Sequence, residues 1–359
     1  MIRLYEYRLP FKAPFKTASN TYDHRTGILI DYTTDEFSVL SEASPLPGFS
    51  NDTFEDVKKT FLQIENNLNL FFHQDFDIQK LKSFLDTLPD LPSLQFSLSY
   101  LGIALLARRK SASIASIMGL TPVKSIQVNE IIGAGHVSDI EEKIELGLKN
   151  GFTTFKFKAP YPVNTLADIL KTICTAYPSI KIRLDANQSW PENKIAEIGS
   201  VLQSLPIEFI EEPVAFQNPD DIQHIISKLS VPVAVDESIE GITGLNSFLK
   251  TGPELFVIIK PMILGNLFRI HETISKYRSN HTNVVVTTSL ESVVGRSMIT
   301  NVATVIGDPD LAHGLNTGQF FNSDLTETHP DLTGSISYSE WSETTAFSKI
   351  NPSKITPLC

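Results

Sequence analysis

A chain of 359 residues with 42% hydrophobic content has the material for one large domain, or for a barrel with a smaller domain attached. A formal net charge of −11 and the lack of a basic run with interleaved aromatics argue against a nucleic-acid surface, and no apolar run approaches the roughly 18 residues of a membrane span. Two cysteines, Cys174 and Cys359, are too few for a disulfide framework, and the opening MIRLYEYRLPFK lacks the apolar core of a secretory signal, so a reducing cytoplasm is expected.

In chain order, Met1–Pro10, Thr26–Tyr32 and Phe37–Glu42 read as short strands with polar or glycine-containing connections, an antiparallel start. PLPGFSN at 45–51 is a turn-rich loop, after which Asp52 or Thr53 caps a helix running through Asn67. Ile78–Leu85 and Leu94–Arg109 are further helices, the second with an apolar stripe of Leu101, Ile103, Ala104, Leu105 and Leu106. From Ser125 the pattern becomes strand, helix, strand. Strands are expected near Ser125–Ile132, Thr154–Lys158, Lys181–Asp185, Glu208–Glu211, Pro232–Asp236, Leu255–Lys260, Asn283–Thr288 and Ala312–Leu315. Helices between them include Asp139–Asn150, ended by Gly151, and Asp220–Leu229. The expected class is α/β, a TIM-type (β/α) barrel at 116–317 behind an α+β domain at 1–115, with 318–359 leaving the repeat.

Polar residues recur at the ends of the apolar runs about every 25 residues: Lys158 in TFKFK, Asp185 in KIRLDAN, Glu211 in IEFIEEP, Asp236 in VPVAVDES and Lys260 in LFVIIKP. The segments share nothing beyond strand, loop and helix, which favours successive βα units over a solenoid. In a parallel barrel such positions face the mouth where the βα-loops gather. Three carboxylates brought there repel one another unless a hard divalent cation neutralises them. Magnesium, with manganese as substitute, prefers oxygen ligands and keeps positions open for a substrate carboxylate. Lys158 and Lys260 flank the acids from opposite sides, and a lysine in such a site can have its pKa lowered and act as a base. A small anionic carboxylate substrate is the partner these charges suit.

Secondary candidates surround this set. Lys156 either supports the site or is salt-bridged, Asn187 and Glu237 stand where they could orient ligands, and Glu212 is a structural candidate. Ser289 and Glu291 in TTSLES fall at the end of the seventh strand, where substrate contacts are expected. The loops Thr17–Arg25 and Gly48–Asn51 could close over the substrate. No histidines show a ligand spacing, and GAG at 133–135 is too short for a dinucleotide fingerprint.

KFK, RLDANQSW, FIEEP, VDES and IIKP, in this order, resemble the motif series of the enolase superfamily, in its muconate-lactonizing-enzyme-like branch. The resemblance implies a capping domain over the barrel, to which part of 318–359 returns. It also implies Asp185, Glu211 and Asp236 as magnesium ligands, Lys158 and Lys260 as the acid/base pair, and an ene-diolate intermediate. SEASPLPGFSNDT, DANQSW, TTSLESVVG and GLNTGQFF are similar to the o-succinylbenzoate synthase family, the dehydratases of menaquinone biosynthesis. Dipeptide epimerases carry an Asp-x-Asp pair at the eighth strand, where this chain reads HGLNTGQFF. VNEIIGAG, around the first strand (128–135), departs from the pattern.

The expected activity is therefore dehydration of 2-succinyl-6-hydroxy-2,4-cyclohexadiene-1-carboxylate, with racemisation or epimerisation of N-acylamino acids or dipeptides as the alternative. A scaffold barrel would not need all five residues, and a Schiff-base aldolase leaves the three carboxylates unexplained. Superfamily members form dimers or larger assemblies, so a homo-oligomer is allowed by the resemblance.

Overall fold

The computed structural model describes residues 1–16, 21–133, 136–250, 255–277, 283–327, 333–337 and 349–358. Expectations placed on residues 17–20, on residues 134 and 135 and on Cys359 lie outside the described residues.

Strands β1 (Ile2–Lys16) and β2 (Thr21–Thr33) form a long antiparallel hairpin, and β3 (Ser38–Ala43) adds to β2. Helices α1 (Phe54–His73), α2 (Ile78–Leu85) and α3 (Pro92–Arg109) follow. Thr53 caps α1 by accepting from the Asp56 amide, and the helix runs past Asn67 because Leu68 and Phe72 continue the buried face begun by Val57 and Phe61. Asp52 serves a different helix: its carboxylate accepts from Ser93 N at 2.9 Å and Ser93 Oγ at 2.6 Å, at the start of α3. Helix α3 is buried on every side from Ser93 to Ala107, not only along the expected stripe. It lies between the sheet and the barrel, and a helix in that position has no solvent face to keep polar. Its serines are satisfied locally, Ser97 Oγ by Ser41 Oγ at 3.1 Å and Ser99 Oγ by the Leu267 amide at 3.1 Å.

After the short α4 (Ile114–Ile117), the barrel elements run β4 (Ser125–Val128), β5 (Glu130–Ile132), α5 (Val137–Lys149), β6 (Thr154–Lys158), α6 (Asn164–Ala176), β7 (Lys181–Asp185), α7 (Ile195–Leu202), β8 (Ile207–Glu211) and α8 (Pro219–Leu229). They continue with β9 (Val233–Val235), α9 (Gly241–Phe248), β10 (Leu255–Ile259), α10 (Pro261–Leu264), α11 (Leu267–Tyr277), β11 (Asn283–Val286), α12 (Val293–Ile306) and β12 (Ala312–His313). Strands β5 to β11 pair in sequence order as one parallel sheet. The first barrel strand, expected to be continuous, breaks at Asn129: β5 pairs with β6, whereas β4 pairs with β12. Asn129 N donates to His313 O at 3.0 Å, and Gly314 N donates to Val286 O at 2.9 Å beside a Thr287↔Gly314 bridge. These bonds join both edges of the sheet through β12 and close the ring.

The tail divides between the two layers. Strand β13 (Ser335–Ser337) pairs antiparallel with β4, and β14 (Ile355–Pro357) returns to β1 with Tyr5 opposite Pro357. The first pairing was not expected; it satisfies the outer edge of β4, where Val128 N donates to Gly334 O at 2.9 Å. Among the described residues no helix is long and apolar enough to cross a membrane.

Inside the ring, Phe209, Ala234, Phe256, Ile258, Val285 and Leu311 form their own apolar cluster. Outside the ring, the closing strand packs against the end of α12, where a Cβ at Gly307 would stand 2.5 Å from the His313 ring. His313 is fully buried, and its Nδ1 accepts from Val286 N at 3.1 Å, which leaves the proton of the neutral ring on Nε2. Burial, reinforced by Arg183, pushes its pKa down to about 3. An unfolded histidine binds a proton near pH 6.5 that the folded one refuses, so between these values stability rises with pH. This group alone is expected to cost about 1.4 kcal/mol for each pH unit below 6.5. Urea titrations between pH 4 and 7 should show His313→Asn, which keeps an acceptor for the Val286 amide, with a slope shallower by up to one proton; equal slopes would contradict this.

Candidate active site

The register of the parallel sheet levels the key residues. Lys158 lies opposite Asp185, Asp185 opposite Glu211, and Glu211 opposite Ala234, two residues before Asp236. Phe155 and Phe157 of TFKFK are buried, so alternation turns Lys156 and Lys158 together to the other face, into the ring. Lys260 follows β10 directly and begins α10. Counting β4 and β5 as one strand, Lys158 leaves the second strand and Lys260 the sixth, halfway around the barrel.

A cavity of about 400 Å³ at this end is lined by all five residues and by Lys156, Asn187, Glu237 and Ser289. Phe11, Phe15 and Phe49 roof it from the N-terminal layer. The loop expected at Gly48–Asn51 thus reaches the site through Phe49, whose ring centroid lies 5.8 Å from Lys260 Nζ. Arg25, at the end of the other expected loop, is buried and bonds to the Leu290 carbonyl at 3.1 Å. Glu291 does not line the cavity. It is fully buried behind the wall, where Oε2 accepts from Ser289 N at 2.6 Å and burial and Glu42 raise its pKa to about 7.

The charges are tightly interleaved. Lys156 Nζ lies 2.7 Å from Glu211 and 2.9 Å from Asp185; Lys158 Nζ lies 2.7 Å from Asp185 and 2.7 Å from Asn187 Oδ1; Lys260 Nζ lies 2.5 Å from Asp236. Asn187 Nδ2 in turn donates to Glu237 at 2.7 Å. Burial opposes ionisation of Asp185, but Lys156 and Lys158 outweigh it and hold the carboxyl well below the usual range. Burial raises Glu211 to about 7 against the pull of Lys156, and Asp185 and Asp236 add repulsion. Asp236 is raised by burial despite Lys260. Burial alone would lower Lys156 and Lys260, yet the neighbouring carboxylates raise both. The lowered pKa that the sequence allowed for a flanking lysine is thus reversed at Lys260, and Lys156 takes the salt-bridged role offered to it, because each is held within salt-bridge distance of an acid.

Glu212 supports the site from behind, accepting from the amides of Asp236 at 2.7 Å and Ser238 at 3.0 Å, from Ser238 Oγ at 2.8 Å and from Gln188 Nε2 at 3.1 Å. Of the six non-glycine residues with positive φ among those described, Asn187, Gln188, Glu212 and Leu290 all stand in strand-end turns at this mouth. Backbone strain is concentrated where the side chains must be aimed. Thr287 and Thr288 of TTSLES and Thr317 of GLNTGQFF also line the cavity; their motifs were read, but nothing in those motifs singled out these threonines.

As placed, no three Asp, Glu, His or Cys side chains among the described residues stand close enough together to hold a metal ion. The donor chemistry nevertheless suits one: three buried carboxylates from successive strands share a single cavity, and burial raises two of them in spite of the lysines beside them. Oxygen donors of this kind select a hard divalent cation.

A capped parallel barrel with acids at the ends of its third, fourth and fifth strands and lysines at the second and sixth defines an enzyme class. Residues 139–335, more than half of the chain, match the family model described as enolase C-terminal domain-like, and residues 1–105 match MenC, N-terminal domain. The chain belongs to the enolase superfamily, whose members typically use magnesium. It is 24% identical over 342 residues to an o-succinylbenzoate synthase of Pasteurella multocida, spanning 92% of this chain and 93% of that one. It is 23% identical over 275 residues to an N-succinyl-L-Arg/Lys racemase of Bacillus cereus, spanning 74% and 73%. A dipeptide epimerase of Methylococcus capsulatus, solved with Mg and the dipeptide L-Arg-D-Lys, shares the fold with a TM-score of 0.78 at 19% identity, over 94% of this chain and 96% of that one. Lyases and isomerases thus both stand among the relatives.

Proposed function

We propose that this chain catalyses the magnesium-dependent dehydration of 2-succinyl-6-hydroxy-2,4-cyclohexadiene-1-carboxylate to o-succinylbenzoate. The observation that carries the reading is the wall built by the seventh and eighth strands. Thr287, Thr288, Ser289, Leu290 and Thr317 line the cavity there, and every carboxylate lining it comes from the opposite side. An ammonium-bearing substrate finds no counter-charge on this wall, whereas a dicarboxylate finds the unpartnered Ser289 hydroxyl and three lysines.

In this mechanism Lys158 removes the proton α to the ring carboxylate. Lys260, approaching from the opposite face, stays cationic and stabilises the negative charge that develops on the carboxylate oxygens as the proton leaves. Lys158 then returns its proton to the departing hydroxyl, the C–O bond breaks, and water leaves an aromatic ring. Asn187 holds Lys158 from one side and is itself fixed by Glu237. A magnesium ion held by Asp185, Glu211 and Asp236 would supply further acidity to the α-proton of a bound carboxylate.

A second reading has its own support. Lysines on opposite faces suit removal and return of one proton in a racemase, and a groove of about 880 Å³ adjoins the cavity at Phe49, Asp236, Glu237 and Lys260, with room for a longer side chain. The two readings separate with purified protein and magnesium. Loss of the diene absorbance, without deuterium entering N-succinylamino acids or dipeptides in D₂O, is the expected result. Exchange into those substrates with no attack on the diene would transfer the assignment to the racemase.

A further inference from the structure

The turn after β11 is held from the N-terminal layer, 250 residues and more away in sequence. Leu290, which lines the cavity, sits at φ 63°, a conformation that a leucine avoids. Arg25 on β2 donates from Nε to the Leu290 carbonyl at 3.1 Å. Its remaining hydrogen bonds go to the carbonyls of Ser44, Pro45 and Thr26, although the guanidinium is only 2% exposed. Glu42 on β3 is fully buried and grips the other end of the turn. It accepts from Ser292 N at 3.2 Å, from Ser292 Oγ and from Gly295 N at 2.9 Å, and is completed by Tyr7 Oη and Ser44 Oγ, both at 2.7 Å. At Gly295 a Cβ would stand 2.5 Å from Glu291 Cβ and 2.9 Å from Glu42 Cδ, so glycine is what lets the helix start approach both acids.

Ser289 stands one residue before the first of these grips. Its amide is taken by Glu291, while its Oγ is buried without a hydrogen-bond partner in a residue that lines the cavity. Buried polar atoms of this kind are normally paired, so an orphan donor at a cavity wall calls for a ligand.

We infer that Arg25 and Glu42 are positioning residues that set the turn Thr287–Ser292 so that Ser289 Oγ donates a hydrogen bond to an oxygen of the bound carboxylate substrate. The inference rests on the cavity being the substrate site, as in the proposed function. In this arrangement the N-terminal layer shapes the barrel wall as well as roofing it.

The test uses the full chain with Arg25→Lys, which keeps the charge and loses the fork, Ser289→Ala, and Arg25→Lys/Ser289→Ala, on whichever of the diene or N-succinylamino acid substrates the wild type turns over. Each single change should raise KM about tenfold with kcat within about threefold, and the double change should be no worse than the worse single one by more than about twofold. Hydrogen exchange on the ligand-free protein should quicken at the Ser289 and Ser292 amides in Arg25→Lys while β7 and β8 keep their protection. Glu42→Gln, which keeps the shape, is read by the same exchange and serves if Arg25→Lys does not fold. Multiplying KM effects, or unchanged exchange at Ser289 and Ser292, would overturn the inference. A wild type inactive on the diene would sink the proposed reaction alone, since the exchange measurement needs no substrate.

Discussion

Lys158→Ala is expected to lower turnover by roughly 10² to 10⁴-fold, the contribution of a positioned proton-transfer group. The fold and magnesium binding should survive. The Lys158 side chain is 51% exposed, so its removal leaves no sealed void, and Asp185 keeps Lys156 at 2.9 Å. Circular dichroism and calorimetric titration with magnesium check those two points, and kcat checks the first. Lys260→Ala separates the readings further. In the dehydratase it removes a stabilising cation and should cost roughly 10² to 10³-fold in kcat. In a racemase it should abolish proton removal from one enantiomer and spare exchange from the other. A Lys158→Ala enzyme with normal dehydration would show that the base lies elsewhere.

The largest expected effect on stability is at Arg183. Its guanidinium is 1% exposed within the barrel, bonding from Nε to Glu208 at 2.6 Å and from Nη1 to Ala312 O at 2.6 Å and Asn129 Oδ1 at 3.4 Å. It also lies 4.6 Å from the centroid of the Phe209 ring. One side chain on β7 thereby ties together β8, the break between β4 and β5, and β12, where the ring closes. Burial lowers its pKa despite Glu208, which shows how much desolvation the pair carries. Arg183→Met would leave the Ala312 carbonyl without this donor and Glu208 with Lys181 alone, at 3.1 Å. Losing one partner of a buried pair costs about 3 to 5 kcal/mol, and Lys181 places this case near the lower end. Urea denaturation should show a fall of about 3 kcal/mol. A change under about 0.5 kcal/mol, as at ordinary surface sites, would mean that the crosslink is idle.

The strand-end series was legible because each of the five residues stands at the boundary between an apolar run and a loop, and their order carries the family's motifs. The N-terminal strands and the caps near Thr53 and Gly151 were legible for the same local reason. What escaped depends on residues far apart in sequence. Nothing near Asn129 announces that β4 must leave β5 to meet β12 and β13, and Arg25, read as the end of a loop, and Glu42, read as an ordinary strand residue, show their role only when their partners at Leu290 and Ser292 come into view. Helix α3 was read from its apolar stripe alone, whereas its serines are buried too, with Ser41 and Leu267 satisfying two of them inside. Glu291 shares a motif with Ser289, but a turn through positive φ at Leu290 sends one side chain to the cavity and the other behind it. The direction of the Lys156 and Lys260 shifts depends on separations of less than 3 Å that residue spacing does not encode.

The central claim is that this charge cluster dehydrates the cyclohexadiene with the help of a divalent cation. Its most direct test follows the diene absorbance of the purified protein with magnesium, then with a chelator, then with magnesium restored. Rapid loss that stops on chelation and resumes on restoration is the predicted result. A folded, magnesium-loaded protein that leaves the diene intact, or one that consumes it equally well in the chelator, would contradict the account.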